Sequence, residues 1–161
     1  MGYHIIQCGP NCEVPVTRSL DLYGIPYAWF RIRRKVIHRG KLSHRIAPLF
    51  PGYIFIICRY LFQKIERLTG VRGFVRFGGE VEYVPDAVVD WLRVRAGPSG
   101  ILNEDALPFA EGDAVTVKFG GQPTAGVFRS YLTPVRAAVD VMCMGREVSL
   151  TVRLGDLRSA G

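Results

Sequence analysis

The 161-residue sequence has few cysteines, no long uninterrupted apolar run, and no repeat or low-complexity tract. A membrane-spanning helix needs about 20 consecutive apolar residues, and no segment approaches that length. The N-terminal residues MGYHIIQCG lack both the basic and the apolar region of a secretory signal. These absences predict a cytoplasmic protein.

The four cysteines stand at positions 8, 12, 58 and 143. Cysteines scattered in this way are expected to be free thiols in a reducing compartment. His4, Cys8 and Cys12 have the spacing of ligands on one helix face, but Gly9 and Pro10 would interrupt that helix, and structural zinc takes four ligands. We therefore expect small buried cysteines, with no metal site and no cofactor.

Recognisable catalytic groupings are also missing. The three histidines have no partners at useful spacing, and the glycine pairs at 78–79 and 120–121 do not form a phosphate-binding motif. Asp86 and Asp90 lie one helical turn apart, where an N-cap and a solvated side chain account for them. The sequence predicts a binding protein rather than an enzyme.

Charge is present in excess, and it is unevenly placed. Residues 1–96 hold 15 Lys and Arg against 7 Asp and Glu, a net charge of +8, whereas residues 97–161 hold 6 against 7, a net charge of −1, and the two sums give the overall +7. A basic half and a neutral half suggest two modules with different partners.

The first half alternates between strand and helix patterns. Strands are predicted at 3–8, 27–37, 50–58 and 71–77, helices after Asn11, at 60–68 and at 87–95, and a loop at 38–47. In the first helix Val16, Leu20 and Tyr23 share one face, and Gly24 ends it. The order β-α-β-β-α-β predicts a ferredoxin-like antiparallel sheet with helices on one face, an α+β domain over residues 1–96.

The second half has a different character. Residues 97–107 mix Gly, Pro, Ser, Asn and acids, which predicts a linker. Short runs rich in β-branched residues then follow at 114–117, 126–132, 137–142 and 147–152, with a hairpin turn expected at Gly145-Arg146. Residues 108–161 are therefore expected to form a small five-stranded SH3-like β-barrel.

The segment PLFPGYIFI, residues 48–56, is apolar on both faces of its predicted strand. A sheet with helices on one face should be polar on the other. Tyr53 and Phe55 therefore need a cover, which could be the helix at 87–95, the C-terminal module, a second copy or another protein. Aromatic patches on soluble domains usually mark interaction sites, which favours a partner.

Residues 31–45 hold seven Lys and Arg, two His and no acid. Such a run can be a solvated loop. Next to a docking face, phosphate contact is the better interpretation, because cations that neutralise phosphates add affinity without reading sequence. The candidate nucleic-acid contacts are Arg33, Arg34, Lys35, Arg39 and Lys41.

Several motifs together resemble the NusG family of transcription elongation factors. PLFPGYIFI, TGVRGFVRFGG and VPDAVVDWL are similar to the family's N-terminal NGN domain, and FAEGDAVTV, GVF and VMCMGREVSL to its C-terminal KOW domain. The resemblance covers nearly the whole chain in the family's domain order. Arg39-Gly40-Lys41 before PLFP brings it closest to specialised antitermination paralogues of the RfaH type.

The resemblance implies a function. In that family the apolar face binds the clamp helices of the largest RNA polymerase subunit, so Tyr53 and Phe55 would be the main anchors, with Phe50 and Phe74 as supporting core. The basic arm would contact non-template DNA or nascent RNA. The KOW domain would recruit a second partner such as a ribosomal protein or a termination factor.

Two departures qualify the resemblance to the RfaH type. Positions that read bases in the operon-specific paralogue correspond here to Gly9, Cys12, Pro15 and Ser19, mostly poor hydrogen-bonding partners for bases. The C-terminal domain of that paralogue can also form a helical hairpin, but the β-branched residues and the Gly and Pro breakers at 108–158 predict strands throughout. The competing class is a ribosome- or RNA-associated KOW protein, whose exposed sheet should carry cations and single stacking aromatics.

Overall fold

The computed structural model describes residues 2–57 and 62–160. It divides into two compact units, Met1–Ala106 and Leu107–Gly161. Each unit has its own hydrophobic cluster, one around Ile6 and Ile54 and the other around Phe128 and Val139. The fold is mixed α/β, with mostly antiparallel sheets and few helices.

The first unit is built from short strands and three described helices. In chain order its elements are β1 (Gly2–Cys8), α1 (Glu13–Leu22), β2 (Tyr27–Ala28), β3 (Arg31–His38), β4 (Lys41–Pro48), β5 (Tyr53–Ile56), α2 (Phe62–Glu66), β6 (Val71–Phe74), β7 (Arg76–Phe77), β8 (Glu80–Val81), β9 (Tyr83–Pro85), α3 (Asp86–Ala96) and β10 (Ile101–Asn103). A 3₁₀ turn at Glu104–Ala106 ends the unit.

The main sheet has the strand order β2-β5-β1-β6, and β9 also pairs with β1. All of these pairs are antiparallel. Since β1 is central, its residues have neighbours on both sides, and Val16 and Leu20 of α1 pack with Ile6 and Ile54 on one face of the sheet. This is the helix face that the spacing of Val16 and Leu20 predicts.

Helix α1 begins one residue later than expected and ends as expected. Cys12 is its N-cap, while Asn11 adopts a positive φ of 56° in the preceding turn. At the other end the Gly24 N–H donates to the Asp21 carbonyl and the Ile25 N–H to the Leu20 carbonyl, both within 3.1 Å. This pair of bonds is a Schellman motif, and it places glycine where φ is positive.

Two segments predicted to be irregular are regular. Residues 38–47 are not a loop: Lys41–Pro48 forms β4, which pairs with β3 along its full length. The expected linker 97–107 belongs largely to the first unit, because Ile101–Asn103 pairs with Arg31–Arg33 as a parallel strand. Leu102 is fully buried and so fixes this segment to the first unit. The Gly and Pro residues of the segment lie in the turn before β10.

The predicted strand at 50–58 and helix at 60–68 are shorter in the structure. They appear as β5 (Tyr53–Ile56) and α2 (Phe62–Glu66). Residues 58–61 lie outside the described residues.

The second unit consists of strands, in agreement with its β-branched pattern. Its elements are β11 (Ala114–Phe119), β12 (Gln122–Thr133), β13 (Arg136–Cys143), β14 (Arg146–Arg153) and β15 (Arg158–Ser159), with a 3₁₀ turn at Leu154–Asp156. They form one antiparallel sheet in the order β14-β13-β12-β11-β15. The β13–β14 turn is Met144-Gly145, one residue earlier than predicted, and both residues have positive φ.

Candidate functional site

A tight turn positions Tyr53 at the start of β5. The Tyr53 N–H donates to the Phe50 carbonyl at 3.1 Å, and Gly52 has a φ of 82°. Proline at the second position and glycine at the third are the signature of a type II turn. The Pro-Gly pair of PLFPGYIFI therefore fixes where Tyr53 leaves the turn.

The same turn is tied to the rest of the unit through Gly52. Its N–H donates to Oε1 of Glu13 at 2.9 Å, and its carbonyl accepts from the Cys8 N–H at 2.7 Å. The Glu13 side chain is buried, so this hydrogen bond satisfies a carboxylate that would otherwise be costly to bury. Helix α1 and strand β1 thus hold the turn from both sides.

Phe55 does not lie at the surface. It sits opposite Ile5 on the sheet face away from α1, and it is only 2% exposed. Its ring meets the Phe30 ring edge-on, with the centroids 6.1 Å apart. The expectation that Phe55 is a main docking anchor is therefore wrong for this structure, because the side chain is part of the core.

Helix α3 lies on this second face. The Arg93 guanidinium of α3 stands 5.5 Å from the centroid of the Tyr3 ring, and Tyr3 shares its sheet face with Ile5 and Phe55. Val89 and Leu92 of the same helix are buried. The sheet is covered internally on both faces at this point, which was one of the alternatives that the sequence left open.

The other two predicted aromatics lie in different environments. Phe74 is 8% exposed and belongs to the cluster around Ile6 and Ile54, which agrees with a supporting role in the core. Phe50 is half-buried at the start of the turn that carries Tyr53. Neither is a large exposed aromatic.

A partly exposed row of residues crosses the sheet from Tyr53. Tyr53 pairs with Gln7, and Gln7 pairs with Gly73, so the three form a row across β5, β1 and β6. All three are half-exposed, and a Cβ added to Gly73 would meet nothing within 4 Å. Tyr53 thus lies at one end of a partly exposed row, and Gly73, two strands away, leaves room at the other end.

The predicted basic arm is a β-hairpin. Strands β3 and β4 pair from Arg31↔Pro48 to His38↔Lys41, and Arg39-Gly40 forms the turn, with φ values of 50° and 73°. Two consecutive positive φ values are typical of a type I′ turn, whose twist matches that of the strands it joins. Regular pairing keeps the cations of the arm in fixed rows.

All five predicted nucleic-acid contacts are exposed on this hairpin. They are Arg33, Arg34, Lys35, Arg39 and Lys41. Arg34 also lies 3.8 Å from Glu104, a surface ion pair that contributes little to stability. The structure therefore brings the cations onto one projecting element.

Sequence reasoning missed the exposed aliphatic residues of this hairpin. Ile37 and Leu42 are a cross-strand pair next to the turn, and they are 75% and 62% exposed. The signal that could have located them is the two-residue turn at Arg39-Gly40. Once that turn is recognised, the register of the flanking residues follows from it.

Three cysteines lie in the described ranges, Cys8 buried and Cys12 and Cys143 half-buried, and all three are free thiols. Burial raises the pKa of the Cys8 thiol to about 12, with nearby Glu13 acting in the same direction. Within residues 2–57 and 62–160 no group of three or more His, Cys, Asp and Glu side chains could hold a metal ion. No helix in the same ranges is long and apolar enough to cross a membrane.

The second unit carries a charged cluster on its sheet and an apolar hairpin tip. Arg129 hydrogen-bonds Asp140 and lies 3.6 Å from Glu147, and the bond from Arg129 lowers the pKa of the Asp140 carboxyl. Met142 and Met144 are exposed beside the β13–β14 turn. Flexible thioether side chains suit an adaptable protein contact.

The chain folds into two units, the first of which carries a basic hairpin, and comparison with known proteins gives its family. The family model described as "Transcription termination factor nusG" matches residues 1–93. The chain therefore belongs to the NusG family, which places it among transcription factors.

Two solved structures are similar over nearly the whole chain. One is described as "Domain interaction in Thermotoga maritima NusG"; it is 19% identical, covers 99% of this chain and 97% of its own, and has a TM-score of 0.42. The other is the MjSpt4:Spt5 complex, 8% identical, covering 98% and 97%, with a TM-score of 0.29. No curated protein matches the sequence.

Proposed function

We propose that this protein is a transcription elongation or antitermination factor that docks on RNA polymerase through its first unit. The observation that carries the proposal is the match of the NusG family model to residues 1–93. That range contains both the turn that presents Tyr53 and the whole basic hairpin. As a member of a transcription-factor family, the protein is proposed to bind rather than to catalyse.

The architecture we infer is the one that the sequence predicts. An antiparallel order of β2-β5-β1-β6 with crossover helices supports a ferredoxin-like NGN domain. Five antiparallel strands around one cluster support an SH3-like KOW barrel in the second unit. Arg39-Gly40-Lys41 at the hairpin turn is the feature that favours the RfaH type.

The polymerase contact is proposed to centre on Tyr53 rather than on Phe55. Tyr53 is partly exposed at the start of β5, whereas Phe55 is enclosed. A large aromatic that fills a pocket on a helical partner such as the polymerase clamp is typical of a binding hot spot. Phe50 lies in the turn that carries Tyr53, and Phe74 belongs to the core cluster around Ile6 on the other face of the sheet.

This contact is tested with a single substitution that leaves the core intact. Tyr53→Ala should reduce binding to purified RNA polymerase by roughly 30-fold or more, since an aromatic anchor contributes ~2 kcal/mol or more. Tyr23→Ala removes an aromatic from the C-cap of α1 that is 49% exposed, more than Tyr53, and is the control for loss of a surface aromatic. Full binding by a folded Tyr53→Ala variant would refute the polymerase contact, and co-purification with ribosomes instead would favour the ribosome- or RNA-associated class.

The hairpin is proposed to hold non-template DNA or nascent RNA by its phosphates. The triple change Arg33→Ala, Arg34→Ala and Lys35→Ala should weaken binding on all sequences about equally. It should also flatten the dependence of log K on log salt by about 0.7–0.9 for each phosphate that the hairpin no longer neutralises. A triple variant with an unchanged salt slope would show that the arm is only a solvated hairpin.

The second unit is proposed to recruit a second protein, such as a ribosomal protein or a termination factor. Its core is formed by residues of the unit itself, and the exposed Met142 and Met144 lie at one hairpin tip. Met142→Ser with Met144→Ser should lower the affinity for that partner without changing polymerase binding. Loss of polymerase binding in this variant would contradict the proposal that the two units bind different partners.

A further inference from the structure

The hairpin of β3 and β4 has two faces of different composition. Paired residues of an antiparallel ribbon point to the same side, and successive pairs alternate. One side carries Arg33/Ile46, Lys35/His44 and Ile37/Leu42; the other carries Arg34/Arg45, Val36/Ser43 and His38/Lys41. We call the first the aliphatic face and the second the cationic face.

The outer part of this hairpin is a free ribbon. Strand β10 pairs with β3 only over Arg31–Arg33, and among the described residues no strand continues the sheet beyond that point. The pairs from Arg34↔Arg45 to the turn therefore project by roughly 16 Å at about 3.3 Å per residue. Two-stranded ribbons of this kind are used by DNA-binding proteins in the major or the minor groove of a duplex.

The tip of the aliphatic face is unusual for a surface. Ile37 and Leu42 are 75% and 62% exposed, at the end of the ribbon next to the turn. A cross-strand aliphatic pair stabilises a hairpin by itself, but it does not account for Ile46, which is also exposed on the same face. On the aliphatic face Lys35 lies between Ile37 and Ile46, and Arg34, Arg45 and Lys41 lie on the cationic face.

The composition identifies the partner's chemistry. Residues 31–48 contain no acid, so the surface is complementary to a polyanion. They also contain no Phe, Tyr or Trp, whereas proteins that hold single strands stack bases on aromatic rings. Aliphatic side chains are instead the residues that wedge between stacked base pairs and bend a duplex.

We propose that the ribbon enters the minor groove of a nucleic-acid duplex and inserts Ile37 and Leu42 between two base pairs. The cations of both faces then neutralise the flanking phosphates, which lie along each strand at about 3.4 Å per nucleotide of helix axis. This inference rests on the proposed nucleic-acid role of the hairpin and adds the form of its target, a duplex that is bent and locally unstacked. The aliphatic pair would contribute to duplex affinity and not to single-strand affinity.

The test uses the full chain and a short DNA duplex with 2-aminopurine at a flexible TA step, together with a single strand of the same length. Ile37→Thr with Leu42→Thr places β-branched residues at both positions and so preserves the strands. The control is Leu22→Thr with Val94→Thr, which replaces aliphatic side chains that are 82% and 79% exposed in the same unit. Binding is followed by anisotropy, unstacking by 2-aminopurine fluorescence and bending by energy transfer between the duplex ends.

The wild type and the control should raise the 2-aminopurine signal and bend the duplex by roughly 20–90°. The hairpin variant should lose both effects and bind the duplex about tenfold more weakly, while its single-strand affinity and its salt slope stay unchanged. A wild type that neither bends nor unstacks the duplex would overturn the wedge. So would a hairpin variant that binds the duplex normally but loses binding to phosphatidylserine vesicles, which would show that the aliphatic face meets a membrane surface.

The failure of the wedge and the failure of the nucleic-acid role give different results. If the wedge is wrong and the role is right, the variant with Ala at positions 33–35 still shows a flatter salt slope. If the role itself is wrong, the wild type shows no salt-dependent binding to either probe.

Discussion

Strand β5 and the β3–β4 ribbon both carry apolar residues, but those of β5 are buried and those at the tip of the ribbon are exposed. Ile54, Phe55 and Ile56 are enclosed, whereas Ile37 and Leu42 are open to solvent. The difference lies in what packs above each strand: β5 lies in a sheet with α1 on one face and α3 on the other, while the outer ribbon projects beyond any neighbouring strand among the described residues. The continuous apolar stretch of β5 therefore belongs to the core, whereas the separate aliphatic residues of the ribbon form a candidate contact surface.

The largest effect that would sharpen this comparison is expected at Phe55. Phe55→Ala should destabilise the first unit by about 3–5 kcal/mol, because it opens a cavity against Phe30, whereas Tyr53→Ala should cost less than about 1 kcal/mol. Both tryptophans, Trp29 and Trp91, lie in the first unit, so tryptophan fluorescence during urea unfolding of the full chain reports that unit alone. Equal stability losses would contradict the burial difference between the two aromatics.

The sequence alone could not settle the position of Phe55. Its pattern shows that β5 is apolar on both faces, but that pattern is the same whether a helix of the chain or a partner covers the second face. The answer depends on how α3 packs, and α3 lies far from β5 in the sequence. The strand itself was predicted, but its predicted start at residue 50 included the Pro-Gly pair, whose residue types are those of a turn.

The next test compares two glycines in turns, Gly52 before β5 and Gly79 between β7 and β8. Gly52→Ala should destabilise the first unit by about 2 kcal/mol, because φ is 82° and the new Cβ would lie 3.1 Å from the Cys8 carbonyl oxygen. Gly79→Ala is the matched control, since Gly79 has a φ of 85° but open space around it. If both substitutions cost the same in the urea titration, backbone strain alone matters and the contact with Cys8 does not.

A smaller effect is expected from the Cys8 thiol at high pH. Its pKa is raised from 9.0 to about 12 in the folded protein, so between those values the unfolded chain releases a proton that the folded chain keeps. Stability contributed by the neutral thiol is thus full below pH 9 and falls as the pH rises, by up to ~1.4 kcal/mol per pH unit. The urea midpoint of the wild type should fall more steeply than that of Cys8→Ala between about pH 8.5 and 10, where the thiol of the unfolded chain titrates.

Tyr27 and Tyr131 act in the same direction, because burial raises the pKa of both phenols. They are present in the wild type and in Cys8→Ala alike, so the difference between the two proteins isolates the thiol. Parallel pH profiles would show that Cys8 is not shielded from water in the folded protein.

The ribbon was less predictable than the sheet for a physical reason. Residues 38–47 are polar and contain a glycine, which is typical of a loop, and no buried residue marks their alternation. Pairing there depends on the turn at Arg39-Gly40 and on cross-strand contacts rather than on a core. The five cations could be predicted as a group, but the division into two faces required the register.

The smallest effect is expected at this turn, and it would act in the stabilising direction. Arg39 has a φ of 50°, a left-handed conformation that Asn adopts more readily than Arg, and Asn-Gly is the preferred pair for a type I′ turn. Arg39→Asn should therefore stabilise the ribbon by about 0.5 kcal/mol, while Arg39→Ala removes the same charge without that conformational gain.

Because the ribbon has no core of its own, local opening governs the exchange of its amides, so hydrogen exchange is the appropriate measurement. Ribbon amides of Arg39→Asn should exchange about two- to threefold more slowly than those of Arg39→Ala, with main-sheet amides unchanged. Equal rates in the two variants would mean that the turn does not limit the ribbon, and that the rows of cations behind Ile37 and Leu42 are held in place by some other contact.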